Sequence, residues 1–165
     1  MLRDANGQPH FTLDSFNVEV DMPSAFAGGT TNARGDDGGT SDPLTLFTVV
    51  GDVLVRIFGV CTTDLTGATA TVEVGVAGNT ASLIAQSTAT DIDANEIWSD
   101  TTPTVGVDTL ASVLGPYLVV NGLDIIETIG TADVTAGNIY YICLWRPIRP
   151  GSTVTAVTPP TALPT

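Results

Sequence analysis

LTLFTVV at residues 44–50, then Gly51-Asp52, then VLVRIFGVC at residues 53–61 is the stretch that decides the fold class of this chain. Apolar side chains recur at every second position on both sides of the Gly-Asp pair. Such alternation sends one strand face into a core and the other outward, and Gly, Asn and Asp tolerate the positive φ of a tight reversal. The same grammar repeats downstream: residues 72–77 meet Gly78-Asn79, and residues 117–120 meet Asn121-Gly122 before an apolar run at 123–129. The pattern predicts an all-β chain with strands near 44–50, 53–61, 69–77, 80–87, 104–110, 117–121, 123–129 and 138–146. Reversals at this spacing are typical of sandwiches, so the expected fold is a single antiparallel β-sandwich, jelly-roll-like. Val72, Val74, Val76, Ile139, Tyr141 and Cys143 are expected in its core, with Thr71, Glu73 and Gly75 outward.

Three zones follow. Residues 1–43 read as an N-terminal arm, with one strand at 11–20, and a Gly/Asp-rich loop, GGTTNARGDDGGTSD, which has nothing to bury and is expected to be exposed. Residues 44–148 form the sandwich body. Residues 149–165 are Pro- and Thr-rich and read as an extended tail without a core of its own. Within the body, NIYYICLW at 138–145 is apolar at successive positions, so both faces of that strand need covering, by a second layer or by another subunit.

Eighteen acids face five bases, a formal charge of −13, and the bases are all arginines: Arg3, Arg34, Arg56, Arg146 and Arg149. A phosphate backbone needs a dense positive surface, and anionic lipid needs the same, so nucleic acid and membrane are not expected partners. Only 14% of residues are charged. A weakly charged surface rich in Thr, Ser and Gly suits a part covered by its neighbours. The start of the chain lacks the apolar core of a secretory signal, so synthesis in a cytoplasm is expected.

Residues with chemical potential favour plain readings. Asp91-Ile92-Asp93-Ala94-Asn95-Glu96 begins like a calcium loop, but Glu96 replaces the required Gly and Thr102 the closing Glu. Arg34-Gly35-Asp36 is the adhesion tripeptide, a motif too short to count without context. His10 is the sole histidine, and no nucleophile elbow is present, so no catalytic set, cofactor or metal is expected. Cys61 and Cys143 read as small buried hydrophobes, with a disulfide as the alternative. Trp98 and Trp145 read as packing residues ahead of a sugar platform.

The segments GVAGNTASLIAQSTATDIDANEIWSD (75–100) and NGLDIIETIGTADVTAGNIYYICLWRPI (121–148) resemble small β-sandwich virion proteins of tailed bacteriophages, nearest to the capsid decoration or cement class. Shared features are a lysine-poor acidic chain, Thr/Ala/Val-rich strands and Asp-Ile-Asp turns. The resemblance implies a structural, non-enzymatic protein on the outer capsid surface, with the major capsid protein as partner and a homotrimer as the assembly. The alternatives are a phage receptor-binding or fibre-tip domain, and a carbohydrate-binding module. The expected interface residues are Phe11, Leu13, Phe16, Val18 and Val20 of the arm, with Tyr140, Ile142, Trp145, Arg146 and Arg149 at the end of the body.

Overall fold

In the computed structural model, which describes residues 18–30, 32–106 and 116–157, the alternating segments become strands. In chain order these are β1 (Val18–Ala25), β2 (Leu44–Val50), β3 (Val53–Thr66), β4 (Thr71–Val76), β5 (Asn79–Thr88), β6 (Glu96–Trp98), β7 (Thr104–Val105), β8 (Tyr117–Val119), β9 (Ile125–Gly130), β10 (Ala136–Pro147) and β11 (Thr153–Ala156). The single helical element among the described residues is a 3-10 turn, Ala89–Asp91. The first sheet runs β1-β10-β3, with β6 and β8 sharing the far edge of β3 and β7 beyond β6; the second runs β11-β2-β9-β4-β5. All pairings are antiparallel, and the two sheets stack as an all-β sandwich.

Of the three reversals read from the sequence, only the one expected at Gly78-Asn79 closes a hairpin within one sheet; its turn is Ala77-Gly78, one residue earlier, with Val76 opposite Asn79. Gly51-Asp52 carries the chain from β2 in the second sheet to β3 in the first, and Asn121-Gly122 carries it back from β8 to β9. Asp52 stitches these corners together. Its Oδ1 accepts from the Asn121 N–H at 3.0 Å, its N–H donates to Ser152 Oγ at 3.1 Å, and its carbonyl accepts from the Ile148 N–H at 2.9 Å. Its Oδ2 lies 2.7 Å from Nε of Arg149. Gly51 sits at φ 73°, where a Cβ would come within 2.5 Å of Ser152 Oγ, so the corner requires glycine.

The core follows the inward parity of each strand. Val72, Val74, Ile139, Tyr141 and Cys143 are buried, and Val76 packs against them half-buried. Gly75, expected outward, is buried: the β4–β5 register shifts between Val74 and Val76, and the Asn79–Thr80 backbone lies over it. Gly59 stands opposite Trp98 in the register, and a Cβ there would lie 2.7 Å from Ile139. Its missing side chain makes room for Ile139, while the rings of Trp98 and Tyr141 lie at ordinary contact distance around it, tilted at 56° with centroids 6.2 Å apart.

The structure corrects the zone boundaries at both ends. Residues 18–25, read as arm and loop approach, are β1, paired along its length with β10 from Val18 opposite Trp145 to Ala25 opposite Asn138. Within the tail, Thr153–Ala156 pairs with β2, and Val154 and Ala156 enter the core. Two inward residues are enough to seat a short strand, and the Pro-rich composition concealed them. Residues 1–17, 107–115 and 158–165 lie outside the described residues, so the strand expected at 11–17 and most of 104–110 are not covered. Val74 is fully buried on β4, between β9 and β5 of the second sheet. Val74→Ala is expected to destabilise the protein by about 1–3 kcal/mol; urea unfolding with an unchanged midpoint would place Val74 outside the core.

Candidate functional site

The two outer faces of the sandwich differ in chemistry. On the second sheet the outward positions are mainly polar, with Thr155 beside Thr48, Glu73 beside Thr128, and Thr71 beside Gly130 and Thr88. β-Branched threonine suits such a solvated strand face. On the first sheet the outward positions form four rows across the strands. They run Pro23–Tyr140–Val60–Ile97, Asp21–Ile142–Phe58, Glu19–Leu144–Arg56 and Arg146–Leu54–Leu118. Leu54, Phe58, Val60, Ile97, Ile142 and Leu144 are half-buried there, and Leu118 is 59% exposed. The charges on this face, Glu19 and Asp21 against Arg56 and Arg146, balance one another on a chain of net charge −13.

Tyr140 marks one end of the apolar face. Its hydroxyl donates to Asp21 Oδ2 at 2.9 Å, while Asp21 Oδ1 is buried without a donor. Burial, followed by the Asp21 carboxylate, pushes the phenol up to about 12. Beside it lies an open hollow of about 200 Å³, lined by Pro23, Ala25, Thr62, Asn138 and Tyr140 among others. A second hollow of similar volume, near Tyr117, Leu118 and Leu123, opens between β5 and β8.

The residues expected at an interface separate into groups. Tyr140, Ile142 and Arg146 share the outer face of β10, with Tyr140 and Arg146 buried in it. Trp145 and Val20 have the opposite parity and pack into or against the core, which corrects the expectation for both. The inward parity expected for Ile139, Tyr141 and Cys143 already included Trp145, which continues it two residues on. Arg149 is exposed at the β10–β11 corner and is paired within the chain to Asp52. Val18 begins β1, and Phe11, Leu13 and Phe16 lie outside the described residues. Leu54, Phe58, Val60 and Ile97 were missed; the outward parity of VLVRIFGV would have found the first three.

A buried polar cluster was also missed. Glu127 on β9 is 1% exposed and occupies the inward parity between Ile125 and Ile129. Its Oε2 accepts from Tyr141 Oη at 2.7 Å and from Ser24 Oγ at 3.2 Å, which bridges the two sheets, and Nε of Arg34 lies 3.4 Å from Oε1. The signal was available as a charged residue at a core position of IIETIG. Burial, with the Glu127 carboxylate second, raises the Tyr141 phenol well above its ordinary value. The same contact decides the tripeptide question: Arg34 is turned inward, and Asp36 Oδ2 accepts the Asn32 N–H, so Arg34-Gly35-Asp36 is not displayed.

The remaining candidates are structural in their contacts. Glu96 accepts the Asp93 N–H and Asp64 the Ala94 N–H, which closes the 91–96 turn. Among the described residues no three His, Cys, Asp or Glu side chains gather to hold a metal ion. Trp98 is fully buried and donates its indole N–H to Ser87 Oγ at 2.8 Å. Cys61 and Cys143 are free; they pair with Ile139 and Ile57 respectively, four residues apart along β3. That is about 13 Å at strand rise, well beyond disulfide reach. The chain matches no protein-family model, no curated protein and no solved structure.

Burial raises the Cys143 thiol from 9.0 to about 12 and is the leading cause of the rise of Cys61 to about 11. With Tyr140, these are acids that the folded state keeps protonated longer than the unfolded chain does. Their contribution is complete below about pH 9 and is lost as pH rises through the folded values. The melting temperature should fall steadily between pH 9 and 12, and neither thiol should react with Ellman's reagent at pH 8 before unfolding. A melting temperature flat to pH 12, or rapid labelling of the native protein, would contradict this burial.

Proposed function

We propose that this chain is a structural virion protein that decorates the outside of a bacteriophage capsid, with the outer face of the first sheet against the shell and its neighbours. The observation that carries the reading is the neutral, apolar face on an otherwise acidic, threonine-clad sandwich. Two molecules of strong like charge approach best where charge cancels and apolar surface can be removed from water. The strand order supports a jelly-roll assignment: β1-β10-β3-β8 opposite β2-β9-β4-β5 is the order two Greek keys produce when folded together, with β11 added beside β2. Jelly rolls serve viral capsid and lectin domains, and architecture alone does not choose between them. The two tryptophans, packed in the core, favour the structural use over a stacking platform for sugar.

Size sets the mode of binding. Four rows about 6.7 Å apart on four strands about 4.8 Å apart give a plan area of about 500 Å². A standard specific interface takes about 800 Å² per partner, so this face alone makes a modest contact that needs repetition by symmetry. A homotrimer around a local three-fold point of the shell supplies that repetition. Residues 1–17, which carry Phe11, Leu13 and Phe16 ahead of β1, provide a second contact in this account. The threonine-rich second sheet and the remaining acids then face solvent and keep finished particles apart.

The test is occupancy of capsids that lack this chain. The L118E/I142T/L144T variant should keep its melting temperature within a few degrees and bind at least tenfold more weakly than wild type. Deleting residues 1–17 should weaken binding and leave the sandwich folded. Light scattering should return three times the monomer mass. Full occupancy by the triple variant, or a monomer both in solution and on the particle, would overturn the proposal.

A further inference from the structure

We propose that Arg34 and Glu127 form a lock on the 28–42 loop, giving it a docked and a released state while the two sheets stay assembled. At its far end the loop is pinned to β9, where Asp42 Oδ1 accepts the Ile129 N–H at 2.9 Å; between Gly28 and Ser41 little else holds it. From Gly28 to Ser41 the only buried described residue is Gly35, which has no side chain to bury. Backbone bonds join Ala27 N–H to Arg34 O at 2.8 Å, Gly28 N–H to Val134 O at 2.9 Å and Val134 N–H to Gly35 O at 2.8 Å. The Asp37 N–H donates to Asp133 Oδ1 at 2.9 Å, an exposed bond. Water replaces the exposed Asp37 bond at little net cost, whereas the bonds to fully buried Val134 hold the backbone only at Gly28 and Gly35, against the high ordering entropy of a Gly-rich segment.

From the middle of the loop, Arg34 is the side chain that reaches into the sandwich. Nε lies 3.4 Å from Glu127 Oε1, Nη1 donates to Pro23 O at 3.4 Å, and the guanidinium lies over the Phe26 ring, 5.9 Å from its centroid. The two partners are unequally placed. Glu127 has two further donors, Ser24 and Tyr141, both on strands of the first sheet, and stays in position when the loop leaves. A buried carboxylate nonetheless needs a counter-charge, and Arg34 supplies it. The carboxylate therefore pulls the loop down, while the sheets do not depend on the loop. Release presents Arg34 and the half-buried Asp36 to solvent beside the edge strand β1, next to Asp37, which is exposed already. This lock is independent of the shell-binding proposal.

Hydrogen exchange on the full chain tests it, with the R34M/E127Q variant removing the ion pair without leaving a buried charge unmatched. The Ala27, Gly28 and Val134 amides should exchange at least tenfold faster than in wild type, and the central amides of β9 and β10 should stay within twofold. In the wild-type protein, which needs no variant to fold, those three amides should open together and at a lower free energy than β10. Loop exchange unchanged in the variant, or wild-type loop amides that open only with the whole sandwich, would overturn the lock.

Discussion

β10 is apolar on both faces, and much of this molecule follows from having to cover both. Its inward residues, Ile139, Tyr141, Cys143 and Trp145, are covered by the second sheet and complete the core. Its outward residues, Tyr140, Ile142 and Leu144, join Leu54, Phe58 and Val60 of β3 in an apolar face that Glu19 and Asp21 of β1 border. A strand of this kind is stable at the centre of a sheet, where both neighbours protect its backbone, and costly at an edge. The long β3 and β1 supply those neighbours, which is why residues 18–25 are drawn into the sandwich.

Polar groups are placed with equal economy. Asp52 binds together the corners where the chain crosses between layers, and Glu127 links β9 to β1 and β10 through the interior. Each carboxylate has an arginine beside it, Arg149 for Asp52 and Arg34 for Glu127. Two of the five arginines of an acidic chain are thus spent on internal pairing, and two more, Arg56 and Arg146, lie on the apolar face. Acid predominates over the rest of the molecule, and that distribution makes one face distinct from the others.

How much of this was legible in the sequence depends on the length scale of the signal. Alternation located the strands from β2 to β5 and from β8 to β10 to within a few residues, because inward parity is a local property. It did not reveal that Gly51-Asp52 and Asn121-Gly122 cross between sheets, since a reversal looks the same whether its strands bond or separate. β6 has three residues and β11 four, too short for a period to register. β1 was displaced because its outward positions, Glu19, Asp21 and Pro23, weaken the apolar pattern of its inward ones. The outer face was half legible: the apolarity of 138–145 announced it, but Trp145 belongs to the core, and while parity puts Phe58 and Val60 on an outward face, only the register with β10 joins them to this one. The Gly-rich loop was read as having nothing to bury, which holds for its apolar content and overlooks Arg34.

An electron cryomicroscopy reconstruction of a particle carrying this chain tests the central claim most directly. The account predicts that the outer face of the first sheet, with Ile142, Leu144 and Leu118 in the contact, lies against the shell or a neighbouring copy, while the threonine face of the second sheet points to solvent. A reconstruction with the first sheet's outer face open to solvent and the threonine face against the shell would contradict it.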